Sequence, residues 1–324
     1  MNVLSLFDGM SCGQIALNQL GIKVDKYYAS EIDKYAITIA KKNFPNTIHL
    51  GDVKKVKGKD LEPIDLLIGG SPCQGFSFAG RMLNFDDPRS VLFFEFVRLL
   101  KECKPKYFLL ENVRMKQQCQ DVITEHLGVK PIIINSALVS AQNRLRLYWT
   151  NIPNITQPQD KGLVLKDILE NLEDVDPLKD TVRNQRHCRE IDQKSLCMTS
   201  TMYKGAGNNG MTLVPIKNPE RIVEKTNYYQ FDVSGKGYNS QQDRVRKLDK
   251  PSGTLAAQAA SIPKVLNVVN DGKMYYRKLT PIECERLQTV PNNYTEGVSN
   301  TQRYKMLGNG WTVEVIKHIF SEIR

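Results

Sequence analysis

The sequence predicts an α/β protein with an open, mostly parallel sheet, helices on both faces and an irregular insertion. Within residues 1–160, short apolar runs alternate with helical patterns, as in sheets whose parallel strands are joined by crossover helices. After residue 160 the sequence becomes polar and rich in Lys, Arg, Asn, Gln and Gly. We therefore predict a first domain over 1–160, a smaller irregular domain over 161–272, and a C-terminal segment, 273–324, that returns to the first domain.

The strands are predicted from buried apolar runs, and the helices from apolar residues at helical spacing. The predicted strands are 3–7, 27–30, 48–50, 65–68, 107–110, 132–135 and 145–150. The predicted helices are 12–20, closed by Gly21, 36–44, ended by Pro45, and 90–104. Near the C-terminus, Thr280 and Glu283 flank Pro281 as a capping box that opens another helix, and a final amphipathic helix passes through Ile316 and Phe320.

Charge and cysteine content narrow the class of protein. The formal net charge of +10 favours an acidic partner such as nucleic acid, because Lys and Arg contacts to phosphate release counterions. The seven cysteines are scattered without a C-x-x-C pair. This predicts no metal site and no disulfide framework, and it favours a reducing cytoplasm. With neither a signal peptide at the N-terminus nor an apolar run of about 20 residues, we expect no membrane segment.

The turn after the first predicted strand, residues 7–13, contains Gly9 and Gly13. Glycines at such a turn let the backbone approach a ligand closely, although they are too few here for a phosphate-binding G-x-G-x-x-G loop. Glu31 closes the second strand, where α/β nucleotide sites place an acid against a ribose, and Asp52 follows the third. These features indicate a nucleoside ligand without pyrophosphate. The alternative is that the glycines only turn the chain and the acids face solvent.

A second candidate site follows the fourth predicted strand. Cys73 lies there in a loop of Pro and Gly residues, and open α/β sheets bind ligands at the carboxyl ends of such strands. A structural cysteine is the alternative, but this placement favours a nucleophile. Glu111 ends the next strand, and Arg144 and Arg146 lie two residues apart at the last. The arginines could be a solvated edge, or they could join the carboxylate and the cysteine in one site.

These residues fall into motifs that occur in a fixed order. The motifs are Asp8-Gly9-x3-Gly13, Ser71-Pro72-Cys73-Gln74, Glu111-Asn112-Val113, Gln142-x-Arg144-x-Arg146, Arg277-x-Leu279-Thr280-Pro281-x-Glu283 and Gly308-Asn309-Gly310. In order and spacing the chain resembles the cytosine-C5 DNA methyltransferases of bacterial and phage type. Met10-Ser11-Cys12 and Gly310-Trp311 look more like the animal de novo DNA methyltransferases. The resemblance implies a Rossmann-like, S-adenosylmethionine-dependent methyltransferase sheet, with 161–272 as the target recognition domain.

The resemblance also implies a mechanism. Cys73 would attack C6 of a cytosine, which makes C5 able to accept a methyl group. Glu111 would protonate or hydrogen-bond N3, Arg144 would bind the base O2 and favour the Cys73 thiolate, and Arg146 would support Glu111 or a phosphate. Because the target atoms are buried in a duplex, the base must be flipped out. The loop 74–81, rich in small residues, would close over it.

For the cofactor, the resemblance places Phe7 against adenine, Glu31 on the ribose hydroxyls and Asp52 on the adenine amine. Ile32 and Val53 would pack on the ring, and Leu92 also fits the core face of its own helix. The complete set of expected S-adenosylmethionine-binding residues is Phe7, Asp8, Gly9, Met10, Ser11, Gly13, Glu31, Ile32, Asp52, Val53, Gly70, Pro72, Leu92, Asn309, Gly310 and Trp311.

The expected DNA contacts lie in the nucleophile loop and in the recognition domain. A Thr followed by an apolar residue recurs in the family's recognition domains; Thr254-Leu255 is the first candidate for this pair and Thr199 the second, with an ordinary loop threonine as the alternative. The complete set of expected DNA-binding residues is Gln74, Ser77, Arg81 and Thr254.

Three alternatives share parts of this pattern. A tRNA cytosine methyltransferase would have the same catalytic motifs, although the long variable region suits duplex DNA better. An inactive DNA-binding homologue is disfavoured because Cys73 and Glu111 are both present, and a Rossmann oxidoreductase because the pyrophosphate loop is missing. We expect a monomeric bacterial or phage enzyme in the cytoplasm, with double-stranded DNA as substrate. Whether it has a cognate restriction endonuclease is left open.

Overall fold

The structure is a computed structural model that describes residues 1–71, 91–170, 178, 182–205, 210–216, 228–230, 244–246, 264–265 and 275–323. Its main feature is a seven-stranded sheet in the order β3-β2-β1-β4-β5-β7-β6. The strands are β1 (Asn2–Leu6), β2 (Lys26–Ser30), β3 (Ile48–His49), β4 (Leu66–Gly69), β5 (Tyr107–Val113), β6 (Ile132–Asn135) and β7 (Leu145–Thr150).

The sheet is mostly parallel, as predicted. The pairs β1–β2, β2–β3, β1–β4 and β4–β5 are parallel, and β7 runs antiparallel to both of its neighbours, β5 and β6. The predicted end of β5 at residue 110 is wrong. The strand continues to Val113 because Glu111, Asn112 and Val113 pair with Tyr148, Leu147 and Arg146 of β7. Glu111 is therefore part of a strand and not of the loop after it.

Helices cover the sheet and complete the C-terminal region. They are α1 (Cys12–Gln19), α2 (Lys34–Asn43), α3 (Val91–Cys103), α4 (Gln117–Leu127), α5 (Val182–His187), α6 (Pro281–Leu287), α7 (Asn300–Asn309) and α8 (Val313–Phe320). The predicted capping box is confirmed, since Thr280 Oγ1 accepts from Glu283 N and Glu283 Oε2 accepts from Thr280 N. Helices α4 and α7 were not predicted. No helix in the described ranges is long and apolar enough to cross a membrane.

The core lies between the sheet and its helices. Leu4 of β1, Leu67 of β4, Phe96 of α3 and Leu110 of β5 are fully buried in one apolar cluster with Trp149 of β7. Strands buried on both faces need continuous apolar runs, which explains why these strands could be recognised in the sequence. The core thereby fixes the strand ends at the edge of the sheet where the candidate residues lie.

The chain divides into two compact units. The first contains Met1–Glu170, Arg183–Val214 and Lys278–Arg324, and the second contains Asn171–Val182 and Pro215–Arg277. The sequence-based division placed all of 161–272 in one irregular domain, whereas residues 183–214 belong to the first unit. The reason is hydrogen bonding to the motif around Gln142: its Oε1 accepts from Met198 N at 3.0 Å, and Ser195 N donates to Ala141 O.

Three further short strands are described in the second unit, and two more strands lie at its ends. Strand β10 (Arg244–Arg246) pairs antiparallel with β9 (Tyr228–Gln230) and parallel with β11 (Lys264–Val265). Strands β8 (Leu213–Ile216) and β12 (Tyr275–Lys278) form a two-stranded sheet. The short strands agree with the irregular character that the sequence predicts for this part of the chain.

Candidate active site

A cleft of about 560 Å³ opens at the carboxyl ends of β1, β2, β4 and β5. The chain order reverses here, because β2 lies on one side of β1 and β4 on the other. Such a switch point is the usual ligand site in open α/β sheets. The cleft volume falls within the range of about 300–1,000 Å³ that is typical of small-molecule sites. All its lining residues belong to the first unit.

The loop after β1 forms the floor of the cleft. Phe7, Asp8, Gly9, Met10 and Gly13 all line it. Phe7, Gly9 and Ser11 have φ values of +57°, +59° and +63°, a region that residues other than glycine rarely adopt. Strained backbone of this kind persists where the surrounding structure holds it in place, and it clusters at functional sites.

Asp8 lies at the centre of a buried hydrogen-bond network. Its Oδ1 accepts from the Tyr27 hydroxyl at 2.8 Å, and its Oδ2 accepts from Ser11 Oγ at 2.5 Å. Burial is the main cause that raises the pKa of Asp8 to about 6, against the lowering effect of these donors. Ser11 itself is fully buried and is not among the described cleft-lining residues. Ser11 therefore acts on the cleft through Asp8.

The loops after β2 and β3 form one side of the cleft through Glu31, Ile32, Asp52 and Val53. Glu31 Oε2 accepts from Gly9 N at 2.8 Å, and its Oε1 accepts from Ile32 N and Asp33 N. Glu31 thus ties the first loop to the second. The side chain of Ile32 is 76% exposed, which is unusual for a large apolar residue and suits a ring stacked against it.

The other side of the cleft is formed by Gly70, Leu92, Asn309, Gly310 and Trp311. Two of these glycines are required by their surroundings. A Cβ atom at Gly70 would lie 2.9 Å from Trp311 Nε1 and 3.1 Å from Glu111 Oε2, and one at Gly310 would lie 2.7 Å from Met10 Cε. These close approaches bring motifs that are distant in sequence into one wall.

Glu111 is held at the end of this wall by one hydrogen bond and one ion pair. Arg146 Nε lies 3.0 Å from Glu111 Oε1, and Trp311 Nε1 donates to Glu111 Oε2 at 3.0 Å. The Arg146 Nε–H is not aligned as a hydrogen bond to the described residues, so its contact with Glu111 is an ion pair. Burial disfavours the Arg146 charge, but the neighbouring Glu111 carboxylate and Cys197 outweigh it, and the pKa of Arg146 is raised.

Arg144 lies beside this pair but faces the backbone. Its guanidinium donates to Met198 O at 2.9 Å, Gly308 O at 3.2 Å and Gly310 O at 2.9 Å. Burial lowers the pKa of Arg144, and the Arg146 cation lowers it further. The side chain is only 3% exposed. Arg144 therefore fastens the segment before residue 200 and the end of α7 to the sheet.

Several expected residues lie outside the described part of the chain. The nucleophile candidate Cys73 is among them, together with Pro72, Gln74, Ser77, Arg81 and Thr254. The described chain reaches Ser71, where Asn112 Nδ2 donates to Ser71 Oγ at 3.2 Å and to Ser71 O at 3.3 Å. Ser71, two residues before Cys73 in the sequence, therefore lies beside the strand that carries Glu111. The second DNA-contact candidate, Thr199, packs against α7, since a Cβ atom at Gly308 would lie 2.1 Å from Thr199 O.

Sequence reasoning identified Asn309 at the end of α7 but missed three other residues of this helix that line the cleft. Gln302, Lys305 and Met306 line it, and Gln302 Oε1 is buried without a hydrogen-bond partner among the described residues. Lys305 Nζ pairs with Asp33 Oδ2 at 3.0 Å. The polar sequence of α7 carries little apolar periodicity, so no signal marked these residues.

The cleft fits S-adenosylmethionine by its chemistry. Carboxylates from Glu31 and Asp52 suit ribose hydroxyls and an adenine amine, and exposed Ile32 suits the adenine ring. Within the described residues, no group of three His, Cys, Asp or Glu side chains is placed to hold a metal ion.

The comparison with known families decides the identity. A family model described as "C-5 cytosine-specific DNA methylase" matches residues 1–324. The chain belongs to this family. It is a DNA cytosine-5 methyltransferase, and its family uses S-adenosylmethionine as the methyl donor. Both the resemblance and the enzyme class expected from the sequence are confirmed.

Individual relatives and a solved structure are consistent with this family. The methyltransferase is 31% identical to the Type II methyltransferase M1.ScrFI of Lactococcus lactis subsp. cremoris, over 98% of this chain and 76% of the relative. It is 45% identical to the orphan methyltransferase M.Rho11sI of Bacillus phage rho11s, over 86% of this chain and 54% of the relative. A mutant of Spodoptera frugiperda DNMT2 superposes with a TM-score of 0.68 at 20% identity, over 99% of this chain and 98% of that one, which shows a shared fold.

Proposed function

We propose that this DNA cytosine-5 methyltransferase acts through a covalent adduct between Cys73 and C6 of a flipped-out cytosine, with S-adenosylmethionine in the cleft described above. The observation that carries the proposal is the position of Glu111. It lies at the wall of a nucleoside-sized cleft, beside the strand end from which the Cys73 loop departs, and an arginine and an indole hold its carboxylate.

The chemistry follows from the needs of the cytosine ring. The Cys73 thiolate adds to C6 while protonated Glu111 gives its proton to N3, and C5 becomes an enamine-like nucleophile. When bound, S-adenosylmethionine supplies the methyl group that C5 takes and leaves as S-adenosylhomocysteine. Loss of the C5 proton to water and elimination of the Cys73 thiolate restore the ring, and N3 returns its proton to Glu111.

The two arginines have different roles in this proposal. From the family resemblance we expected Arg144 to bind the base O2. In the structure its guanidinium instead donates hydrogen bonds to the carbonyls of Met198, Gly308 and Gly310. Both arginines line the cleft, but it is Arg146 that forms an ion pair with Glu111, with its Nε 3.0 Å from Glu111 Oε1. We therefore assign contact with the base O2 to Arg146, and the positioning of the surrounding backbone to Arg144.

The cofactor would lie along the cleft with its adenosine at the side formed by Glu31, Ile32, Asp52 and Val53. Its methionine end would face Gly70 and the turn from Asn309 to Trp311. This orientation is supported by the cleft, which joins the acidic loops at one side to the Glu111 wall at the other. A cofactor held in this orientation would present its methyl group on the side of the cleft that contains Glu111 and Ser71, where we expect the base to bind.

The DNA-reading part of the chain is a further part of the proposal. Most of the second unit, including the position of Thr254, falls within the predicted recognition domain, 161–272, and Gln74, Ser77 and Arg81 would contact the flipped nucleotide and its strand. We also propose a monomeric enzyme in the cytoplasm of a bacterial cell or phage host. Similarity to a Type II methyltransferase supports a search for a cognate restriction endonuclease.

The test is methylation of cellular DNA. Bisulfite sequencing of DNA from cells that express the protein should show protected cytosines in one sequence context. Cys73→Ala should abolish this protection while its binding of S-adenosylhomocysteine remains measurable, whereas Cys119→Ala, which removes a thiol from α4, should retain it. Purified tRNA assayed in parallel should remain unmodified. Full activity of Cys73→Ala, or modification of tRNA alone, would overturn the proposal.

A further inference from the structure

The two oxygens of the Glu111 carboxylate have partners of different kinds. Oε2 accepts a hydrogen bond from the indole Nε1 of Trp311 at 3.0 Å, and Oε1 lies 3.0 Å from Nε of Arg146. The hydrogen bond between Trp311 and Glu111 joins residues 200 positions apart. Neither the residue types nor their spacing in the sequence predicts it. A catalytic carboxyl group whose two oxygens are distinguished in this way has a defined orientation.

Trp311 is fixed in place by its surroundings. A Cβ atom at Gly70 would lie 2.9 Å from its Nε1, and one at Gly13 would lie 3.6 Å from its Cζ3. The backbone before it is held as well, since Gly310 O accepts from both Arg144 Nη2 and Gln288 Nε2 at 2.9 Å. The indole is therefore packed between the residue after β4 and the first turn of α1, and its N–H has little freedom to turn away from Glu111.

The chemistry of the two donors differs. An indole N–H can only donate, and it offers a single donor, so the Glu111 oxygen that faces it stays an acceptor. A guanidinium has five donors on a longer side chain, and Arg146 can exchange its contact with Oε1 for the base O2 when cytosine enters. Oε1 is then the oxygen that becomes available to hold a proton. The fixed and the exchangeable partner thus lie on opposite oxygens.

We propose that Trp311 is a positioning residue for the catalytic carboxyl group, and that its indole N–H reserves Oε2 as an acceptor so that Oε1 delivers the proton to N3 of the cytosine. This inference rests on the proposed role of Glu111 and adds a residue to it. It also gives Trp311 a second function, since the sequence analysis expected this residue only among those that bind the cofactor.

The chain provides a matched control, because it has two tryptophans. Trp149 is fully buried in β7, and its Nε1 donates to Thr124 Oγ1 at 3.0 Å, away from the cleft. Trp311→Phe and Trp149→Phe make the same chemical change at the two places. The probe is unmethylated genomic DNA from a methylation-deficient bacterial strain, with the methyl group of S-adenosylmethionine tritiated.

The measurements are the single-turnover rate of methyl transfer and the Kd for S-adenosylhomocysteine. For Trp311→Phe we expect the rate to fall about 10- to 100-fold, which is less than the roughly 10²- to 10³-fold lost when a donor to the reacting atoms is removed, because Trp311 acts through Glu111. The Kd should change by less than about 3-fold, because the aromatic surface remains. Trp149→Phe should keep the wild-type rate. A role limited to cofactor packing would instead raise the Kd and leave the rate at saturating cofactor unchanged.

A second variant separates the N–H from the shape of the ring. Incorporation of 3-benzothienylalanine at position 311 replaces the N–H with sulfur and preserves the bicyclic ring. The inference predicts that this variant is as slow as Trp311→Phe with an unchanged Kd. A wild-type rate in the benzothienyl variant, or a rate loss that disappears at saturating cofactor, overturns the inference alone. A wild-type enzyme that transfers no methyl group to DNA overturns the proposed function, and the inference with it.

Discussion

Arg146 Nε lies 3.0 Å from Glu111 Oε1 across the antiparallel pair of β5 and β7. The register places Arg146 directly opposite Val113, two residues from Glu111 and therefore on the same face of the sheet. A carboxylate inside a strand, diagonal to a cation on the neighbouring strand, keeps one geometry because the ladder between β5 and β7 fixes both backbones. The proposed catalytic pair is thus carried by two adjacent strands of the main sheet.

Glu111→Gln tests the proton transfer. Glutamine preserves the shape and the acceptor that faces Trp311, but it cannot give a proton to N3. We expect kcat to fall by about 10²- to 10⁴-fold, the usual contribution of a general acid, with the Kd for S-adenosylhomocysteine unchanged. Rapid-quench measurement of methyl transfer checks this. Retention of more than a tenth of the wild-type rate would show that Glu111 is not the acid.

Substitution of Arg144 should mainly affect stability, and substitution of Arg146 should mainly affect the rate of methyl transfer. Arg144→Met removes hydrogen bonds to three backbone carbonyls, and we expect it to lower the free energy of unfolding by about 3 kcal/mol, as for charge-assisted hydrogen bonds. Arg146→Met should reduce methyl transfer about 100-fold, as for loss of an electrostatic contact to the reacting group, with a smaller effect on stability. Denaturant unfolding and single-turnover kinetics on both variants check this. If Arg144→Met instead slowed methyl transfer and Arg146→Met mainly lowered stability, contact with the base O2 would have to be assigned to Arg144.

Gly70→Ala should act through the Trp311–Glu111 contact. The new methyl group would lie 2.9 Å from Trp311 Nε1 and 3.1 Å from Glu111 Oε2, so one of these groups must move. We expect an approximately 10-fold slower methyl transfer, since small misplacements of catalytic groups are costly. Gly162→Ala, at an exposed site with φ of +65°, should lose about 1 kcal/mol of stability through backbone strain and keep its rate. Equal rates in the two variants would contradict the close packing at Gly70.

Asp8 should make stability depend on pH in a defined window. Burial raises its pKa from the usual 3.8 to about 6, so between these values the folded chain holds a proton that the unfolded chain has lost. The stability contributed by this group is therefore present at low pH and is lost as pH rises from about 4 to about 6. Asp8→Asn removes this dependence. Thermal melts of both proteins from pH 4 to pH 8 check this. The difference in Tm between the wild-type protein and Asp8→Asn should change with pH below about 6 and stay constant above it.

The sequence was sufficient to predict those elements in which burial determines the order of apolar and polar residues. All seven strands of the main sheet could be predicted from apolar runs; the central strands β1, β4 and β5 are buried along nearly their whole length, whereas the edge strands β3 and β6 are partly exposed. The capping box at Thr280 marked the start of α6. Helix α4 was missed because its first turns are polar and only Ile123 and Leu127 are buried. Helix α7 was missed for the same reason, since its buried residues are confined to Met306, Leu307 and Gly308 at its end.

The candidate site was harder to predict because its contacts are long-range. The motifs predicted that Glu111, Arg144 and Arg146 lie near one another at the strand ends. They did not predict which of the two arginines faces the Glu111 carboxylate. That choice depends on carbonyls of Met198, Gly308 and Gly310, which lie far away in sequence. The hydrogen bond from Trp311 to Glu111 depends on the return of the C-terminal segment to the sheet. Such contacts follow from tertiary packing and not from local pattern.

The most direct test of the central claim is the site of covalent attachment to DNA. Duplex DNA in which 5-fluorocytosine replaces the target base should trap the adduct in the presence of S-adenosylmethionine, because fluorine cannot leave C5 as a proton does. Mass spectrometry of the digested complex should find the base on Cys73, with trapping lost in Cys73→Ala and retained in Cys119→Ala. A wild-type enzyme that methylates DNA yet forms its adduct at another cysteine, or forms none, would contradict the account.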